Sequence, residues 1–338
     1  MDMQIGRSKL SLLGAVMVLI VAACTATSPS SDPSTTPSDS PSAPTAVPTA
    51  SPSLAVEPSQ AAAPTSAPSV TAPTAPTAEP MPTPSAASGD VMVVRAYFLL
   101  ADQAGGDATL VPVLREVPKR PAVAHAAMTA LLEGPTAAER RADPPISTVI
   151  PTGTKLLGVR VDDGVAVVDL SGRFESGGGT RSMTGRLAQV VYTLTQFSRI
   201  DAVRIELDGR LVTTLSGEGV DVSRPLDRAD FRDEWLPPIW VDRPAWGAGL
   251  ATPARVTGRA NVFEAQFVAA ILDGAGDTLV ERPVTATCGS GCWGRFDVTL
   301  RYAVATPQWG TLRVWDPSER DGSPEAVREY PVWLTPAG

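Results

Sequence analysis

Histidine is almost missing from this sequence: His125 is the single one in 338 residues. A Ser-His-Asp triad needs that base beside an exposed nucleophile, and no nucleophile-elbow pattern accompanies it. His125 therefore reads as a boundary residue on the flank of a helix, and no enzyme activity is expected. Cysteine is scarce too, with Cys24, Cys288 and Cys292 only. Apart from Cys24, the pair Cys288 and Cys292 with one histidine falls short of the four ligands of a structural zinc site. Basic residues are outnumbered, 28 Lys and Arg against 36 Asp and Glu, for a net charge of -8. An acidic chain repels phosphate backbones, which excludes nucleic acid as the expected partner. Gly177-Gly178-Gly179 has no following lysine, so it is not a phosphate loop; it reads as a flexible entry to a helix capped by Thr180. Asp273 and Asp277, in a glycine-rich turn, fall short of a calcium ligand set. No cofactor is implied.

Long apolar runs are absent as well. The longest useful one, residues 10–20, is shorter than the ~20 residues that a membrane span needs. It follows Arg7 and Lys9 and leads through Val21-Ala22-Ala23 to Cys24. That order resembles a bacterial lipoprotein signal, cut before a cysteine that then carries lipid. The expectation is a signal peptide over 1–23, lipidation at Cys24, and an extracytoplasmic protein anchored to the cell membrane. The alternative is an ordinary secretory signal cut nearby. Outside the cytoplasm, Cys288 and Cys292 form one pair across Gly-Ser-Gly. A structural disulfide is preferred over a redox pair, whose familiar motif has two intervening residues.

Residues 25–89 lack lysine, arginine and every aromatic residue, and consist mostly of Ser, Thr, Pro and Ala. Such a segment buries too little apolar surface to offset its ordering entropy. Positions 24–90 are expected to be a disordered tether, averaging about 45 Å as a coil and reaching ~200 Å fully extended.

Two domains are expected beyond it, at 91–237 and 238–338. In the first, strands are expected at 91–100 and 110–117, then a helix opening at Pro121 and leaving at Gly134. A hairpin follows, turning at Asp163-Gly164, with Val159, Val161, Ala166, Val168 and Leu170 on one side. Met183, Leu187, Val190, Val191, Leu194 and Phe197 form an apolar stripe of a helix over 181–197, with Arg186, Gln189, Thr193 and Gln196 facing away. Alternation at 203–207 and a turn at Asp208-Gly209 complete the pattern. The order implies an α+β domain, a small sheet with two helices on one face. From 238 on, helical periodicity disappears. Short strands are expected at 254–259, 263–272, 278–285, 294–302, 311–316 and 326–334, the spacing of a β-sandwich.

Several segments together carry a family resemblance. They are Leu131-Leu132-Glu133-Gly134-Pro135-Thr136, Ile150-Pro151-Thr152-Gly153-Thr154-Lys155-Leu156-Leu157-Gly158-Val159, Gly164-Val165-Ala166-Val167-Val168-Asp169-Leu170-Ser171, and the run from Leu187 through Tyr192 to Phe197. This part resembles the GerMN domain of sporulation and spore germination proteins. Arg255-Val256-Thr257-Gly258-Arg259-Ala260-Asn261 and Trp293-Gly294-Arg295-Phe296 resemble the immunoglobulin-like domain that accompanies it. The resemblance implies a ring-building-motif-like first domain, an immunoglobulin-like sandwich, and an envelope protein without catalytic residues.

All seven tryptophans lie beyond residue 234. Trp235, Trp240 and Trp246 sit at the junction and read as core or interface. Trp293, Trp309 and Trp315 are the candidate ligand-binding residues, as platforms for sugar rings. The expected function is a lipid-anchored scaffold that contacts an envelope protein or itself. The alternative is a lipoprotein that binds cell-wall glycan, such as peptidoglycan, through those tryptophans.

Overall fold

The computed structural model describes residues 90–337, except 103–104, 120–121 and 218. The signal, Cys24, the tether as far as residue 89, and Pro121 lie outside the described residues. Val91–Leu100 (β1) pairs antiparallel along its whole length with Thr109–Pro118 (β2). Val123–Glu133 (α1) follows, then a short helix without a counterpart in the expected pattern, Ala137–Arg141 (α2). Its start is set by a capping box: Thr136 accepts from the Glu139 N–H, and the Glu139 carboxylate accepts from the Thr136 N–H. The same carboxylate, nearly buried, holds Arg115 of β2 at 2.6 Å.

Ile146–Ser147 (β3) joins the far end of β1. Leu156–Asp162 (β4) and Val165–Leu170 (β5) form the expected hairpin. Asp163 and Gly164 both take positive φ, 44° and 77°, as a two-residue primed turn requires. Thr180–Leu194 (α3) crosses over to Ala202–Leu207 (β6), which lies parallel to β5. The short strands Arg210–Leu211 (β7), Thr214–Leu215 (β8) and Val220–Asp221 (β9) and the helix Ala229–Trp235 (α4) end this half.

The α+β class stands, but two details differ. The strands are hydrogen-bonded in separate sheets, β2-β1-β3, β4-β5-β6-β7 and the two-stranded β8-β9, rather than in one small sheet. The reason lies in α3, whose polar positions do not face away. Arg186, Gln189 and Thr193 are buried. Thr193 Oγ1 accepts the Tyr97 N–H at 3.1 Å, and Gln189 Nε2 donates to the Tyr97 carbonyl at 3.0 Å. Gln196 does the same for the N–H and carbonyl of Arg95, at 2.9 and 2.7 Å. These side chains stand in for a neighbouring strand along β1, so its backbone groups are satisfied without one. The apolar stripe of α3 is buried as expected on its other side, although the helix ends at Leu194, before Phe197. Its N-cap is Gly179 rather than Thr180, which is already helical. Arg186 reaches back to the carbonyls of Phe174 and Gly177, at 2.6 and 2.5 Å, and so ties down the glycine run.

The second half is a two-sheet sandwich. Ile239–Arg243 (β10) pairs with Ala254–Ala260 (β12), which pairs with Gly294–Leu300 (β15). The facing sheet has Gly249–Ala251 (β11), Gln266–Leu272 (β13), Thr278–Thr285 (β14), Gln308–Pro317 (β16) and Pro324–Thr335 (β17), in the order β11-β17-β16-β13-β14. Phe267 and Phe296 meet edge-to-face between the sheets at 4.8 Å. The strand expected from 263 begins at Gln266: Phe263–Ala265 is a 3-10 turn, with positive φ at Glu264 and Ala265 and an exposed Phe263.

All described residues belong to one compact unit; one large buried core runs through both halves, and a small second cluster gathers Val94, Val117, Ala127 and Ala130. At the junction Tyr97, Tyr192 and Trp240 pack together, with ring centroids 5.6 to 6.3 Å apart. Tyr97 is fully buried and donates its hydroxyl to Asp242 at 3.0 Å. Burial first, and then the negative charge of Asp242, push its pKa up to about 12. Burial pushes Tyr192 up as well. Above the ordinary tyrosine range the unfolded chain loses these protons while the folded one keeps them, so stability falls as pH rises. For Tyr97 alone the loss between about pH 10 and about pH 12 amounts to about 2–3 kcal/mol. Urea unfolding across that window is expected to show it. Tyr97→Phe should flatten the slope, and an unchanged slope would remove Tyr97 from the account.

Candidate functional site

The edge of the β4-β5-β6-β7 sheet is the first surface of interest. On β4, Val159 and Val161 lie directly opposite Val168 and Ala166, on the expected face. Ala166, Val168 and Leu170 are buried, but β4 is the edge strand and its far end is uncovered. Val161 is 46% exposed, and Leu157, beside an irregularity in the pairing, is 50% exposed. A groove of about 540 Å³ opens between β4, the start of α1 and the segment after α3, where Val161 faces Phe197, Ile200 and His125. His125 is exposed on α1, where Thr129 Oγ1 lies 3.5 Å from its Nδ1 and donates to the His125 carbonyl at 3.0 Å. The outer edge of β4 has no strand partner among the described residues.

The tryptophans divide differently from the sequence expectation. Trp235, Trp240 and Trp246 are buried, as expected for the junction. Trp309 and Trp315 share the outward face of β16, alternating with buried Gly310, Leu312 and Val314. Trp333 of β17 joins them directly opposite Trp309, 5.3 Å away and edge-to-face. The Arg313 guanidinium lies over the Trp315 ring. Trp293 is in none of this: it precedes β15 and donates its indole N–H to Asp233, on α4, at 2.5 Å. Thus one of the three candidate residues is a junction contact, while Trp309 packs on Trp333 and Trp315 lies under Arg313.

Cys288 and Cys292 are joined in a disulfide. Their loop docks on the turn before β13: the Ser290 N–H donates to the Val262 carbonyl and the Gly291 N–H to Asn261 Oδ1, both at 2.9 Å. Asp273 turns its carboxylate onto its own loop, accepting from the N–H groups of Ala275 and Asp277 at 2.9 Å. Among the described residues no cluster of three or more His, Cys, Asp and Glu side chains has metal-holding geometry. No described helix is long and apolar enough to cross a membrane.

The junction holds a second opening that sequence reasoning missed. A cleft of about 500 Å³ is lined by Arg228, Arg259, Arg295, Trp240 and Phe296. Arg228 stacks over Tyr192, 4.7 Å from the ring centroid, and donates to Thr195 Oγ1 and the Tyr192 carbonyl. These arginines come from distant segments, and no local spacing marks them as neighbours.

An α+β half sharing its core with an immunoglobulin-like sandwich defines the class: a two-module architecture without a recognisable catalytic constellation among the described residues. Residues 95–213 match the Germane family, described as sporulation and spore germination. Residues 238–323 match Gmad2, the immunoglobulin-like domain of bacterial spore germination. The chain thus carries a GerMN-type domain like those of sporulation and spore germination proteins, followed by an immunoglobulin-like domain. Among solved structures, it is similar to the first GerMN domain of the sporulation protein GerM from Bacillus subtilis, at 25% identity over 40% of this chain and 99% of that one, with a TM-score of 0.33. It is also similar to the tandem GerMN domains of the same protein, at 16% identity over 73% of this chain and 62% of that one, with a TM-score of 0.36. At TM-scores this low, the assignment rests on the two domain matches. No curated protein matches the chain.

Proposed function

We propose that this protein is a lipid-anchored, extracytoplasmic scaffold whose GerMN-type half contacts a second copy of itself or another envelope protein. The observation that carries this reading is the edge strand β4, unpaired on its outer side among the described residues and bearing exposed Leu157 and Val161 beside an apolar groove. Natural sheets guard such edges, because a bare row of N–H and carbonyl groups invites another strand. A partner strand added there gains main-chain hydrogen bonds, and the groove takes its side chains. The sequence around Cys24 supports anchoring to a membrane surface, and the composition of 25–89 supports a tether that carries the folded part away from it.

Sedimentation of the purified protein over a range of concentrations tests the reading. Association that rises with concentration is expected. Val161→Lys, an exposed position, should weaken it about tenfold or more while leaving the unfolding temperature unchanged. A protein that stays monomeric, and that no envelope protein crosslinks through β4, would sink the scaffold reading. Peptidoglycan binding through the outer tryptophans competes with it. Saturable cosedimentation with cell-wall peptidoglycan, lost on changing Trp309 and Trp315 to alanine in a folded variant, would put that reading first.

A further inference from the structure

The arginines at the junction are held together against their own repulsion. Arg259 of β12 and Arg295 of β15 are directly paired across the ladder. Cross-strand partners have Cβ atoms ~5 Å apart, and like charges in that position destabilise a sheet. Arg228, before α4, lines the same cleft, and Arg232 of α4 adds its field to those of Arg295 and Arg228 at Arg259. Among the described residues neither Arg259 nor Arg295 has a carboxylate partner. Burial, followed by the charges of Arg295, Arg232 and Arg228, lowers the Arg259 pKa.

The carboxylates in the lining are engaged elsewhere. Asp242 accepts the Tyr97 hydroxyl at 3.0 Å, and Asp297 is held by Arg255 at 2.9 Å. A further group points the same way. Trp240 is 2% exposed and lines the cleft, yet its indole N–H has no hydrogen-bond partner among the described residues. A buried donor without an acceptor is rare and calls for one. In a chain with a net charge of -8, a cationic cleft of this kind is not a by-product of composition.

We propose that this cleft binds a phosphoryl group. A carboxylate offers two coplanar oxygens and one charge, enough for a single guanidinium fork. Two forks on adjacent strands, with a third arginine on the loop before α4, suit a tetrahedral anion with more oxygens and up to two charges. The cleft, at about 500 Å³, exceeds one phosphate, and Trp240 supplies an apolar wall for an organic body attached to it. The inference does not rest on the scaffold reading, since the cleft is built by residues far from β4.

The test is titration calorimetry of the full chain, in detergent, with inorganic phosphate, glycerol 3-phosphate and acetate as separate probes at low ionic strength. Saturable binding of a phosphate probe is expected, weakened about tenfold or more in both Arg259→Gln and Arg295→Gln. Removing one of two like charges should leave each variant at least as stable to heat as the parent. Arg295 is exposed, so its variant serves if the other fails to fold. Glycerol 3-phosphate binding more tightly than inorganic phosphate assigns the site to an ester, and equal affinity assigns it to the free ion. No saturable binding of either phosphate probe, undiminished binding in the folded variants, or acetate binding as tightly as phosphate would overturn the proposal.

Discussion

Gly258→Ala is expected to destabilise the protein by about 3 kcal/mol or more. Gly258 lies in β12, between β10 and β15. A Cβ built there would stand 2.0 Å from the Trp240 carbonyl oxygen and 2.6 Å from the Phe296 ring. The ring cannot simply turn aside, because it is buried and packed against Phe267. The carbonyl oxygen is backbone and belongs to the neighbouring strand, so relief requires the ladder itself to separate. Equilibrium urea unfolding of the purified variant measures the cost. A change under about 1 kcal/mol would mean that β10 and β12 are not this close.

Trp240→Ala is the second large effect, at about 3–5 kcal/mol. The side chain is 2% exposed and packs on Tyr192 edge-to-face at 5.6 Å and on Tyr97 at 6.3 Å. Those tyrosines belong to β1 and α3, so truncation opens a cavity where rings from both halves meet. The expected result is a lower midpoint and unfolding of the two halves in separate steps, seen as non-coincident fluorescence and circular dichroism transitions. Trp240→Phe should retain much of the packing and a single transition. A single transition with an unchanged midpoint in the alanine variant would refute the coupling through this cluster.

Much of the fold is legible in the order of residues along the chain. The strands at 91–100 and 278–285 and the Asp163-Gly164 turn follow from local rules, because alternation and turn chemistry involve neighbours in sequence. What is not legible has a common cause. Gln189, Thr193 and Gln196 sit on the polar stripe of a helix, and a polar stripe ordinarily means solvent. Here it meets the backbone of β1, ninety or more residues away, which amphipathicity does not reveal. Val161 errs the other way: its alternation is that of a core residue, but its strand lies at a sheet edge, and edge position is a property of topology.

The candidate sites show the same division. The Cys288–Cys292 bridge is readable from the scarcity of cysteine and a short spacing. The seven tryptophans are readable as a set, but not by role: Trp293 bonds Asp233, Trp309 meets Trp333, and the junction three are buried. The arginine cleft leaves no trace in the sequence, because Arg228, Arg259 and Arg295 come from a loop and two strands. By itself the sequence determined the α+β and sandwich classes and the two domain resemblances, all of which reside in composition and local order. Only the tertiary structure decided which polar side chains are buried, which strand edge is bare and where like charges meet, because each depends on contacts between residues that the chain keeps far apart.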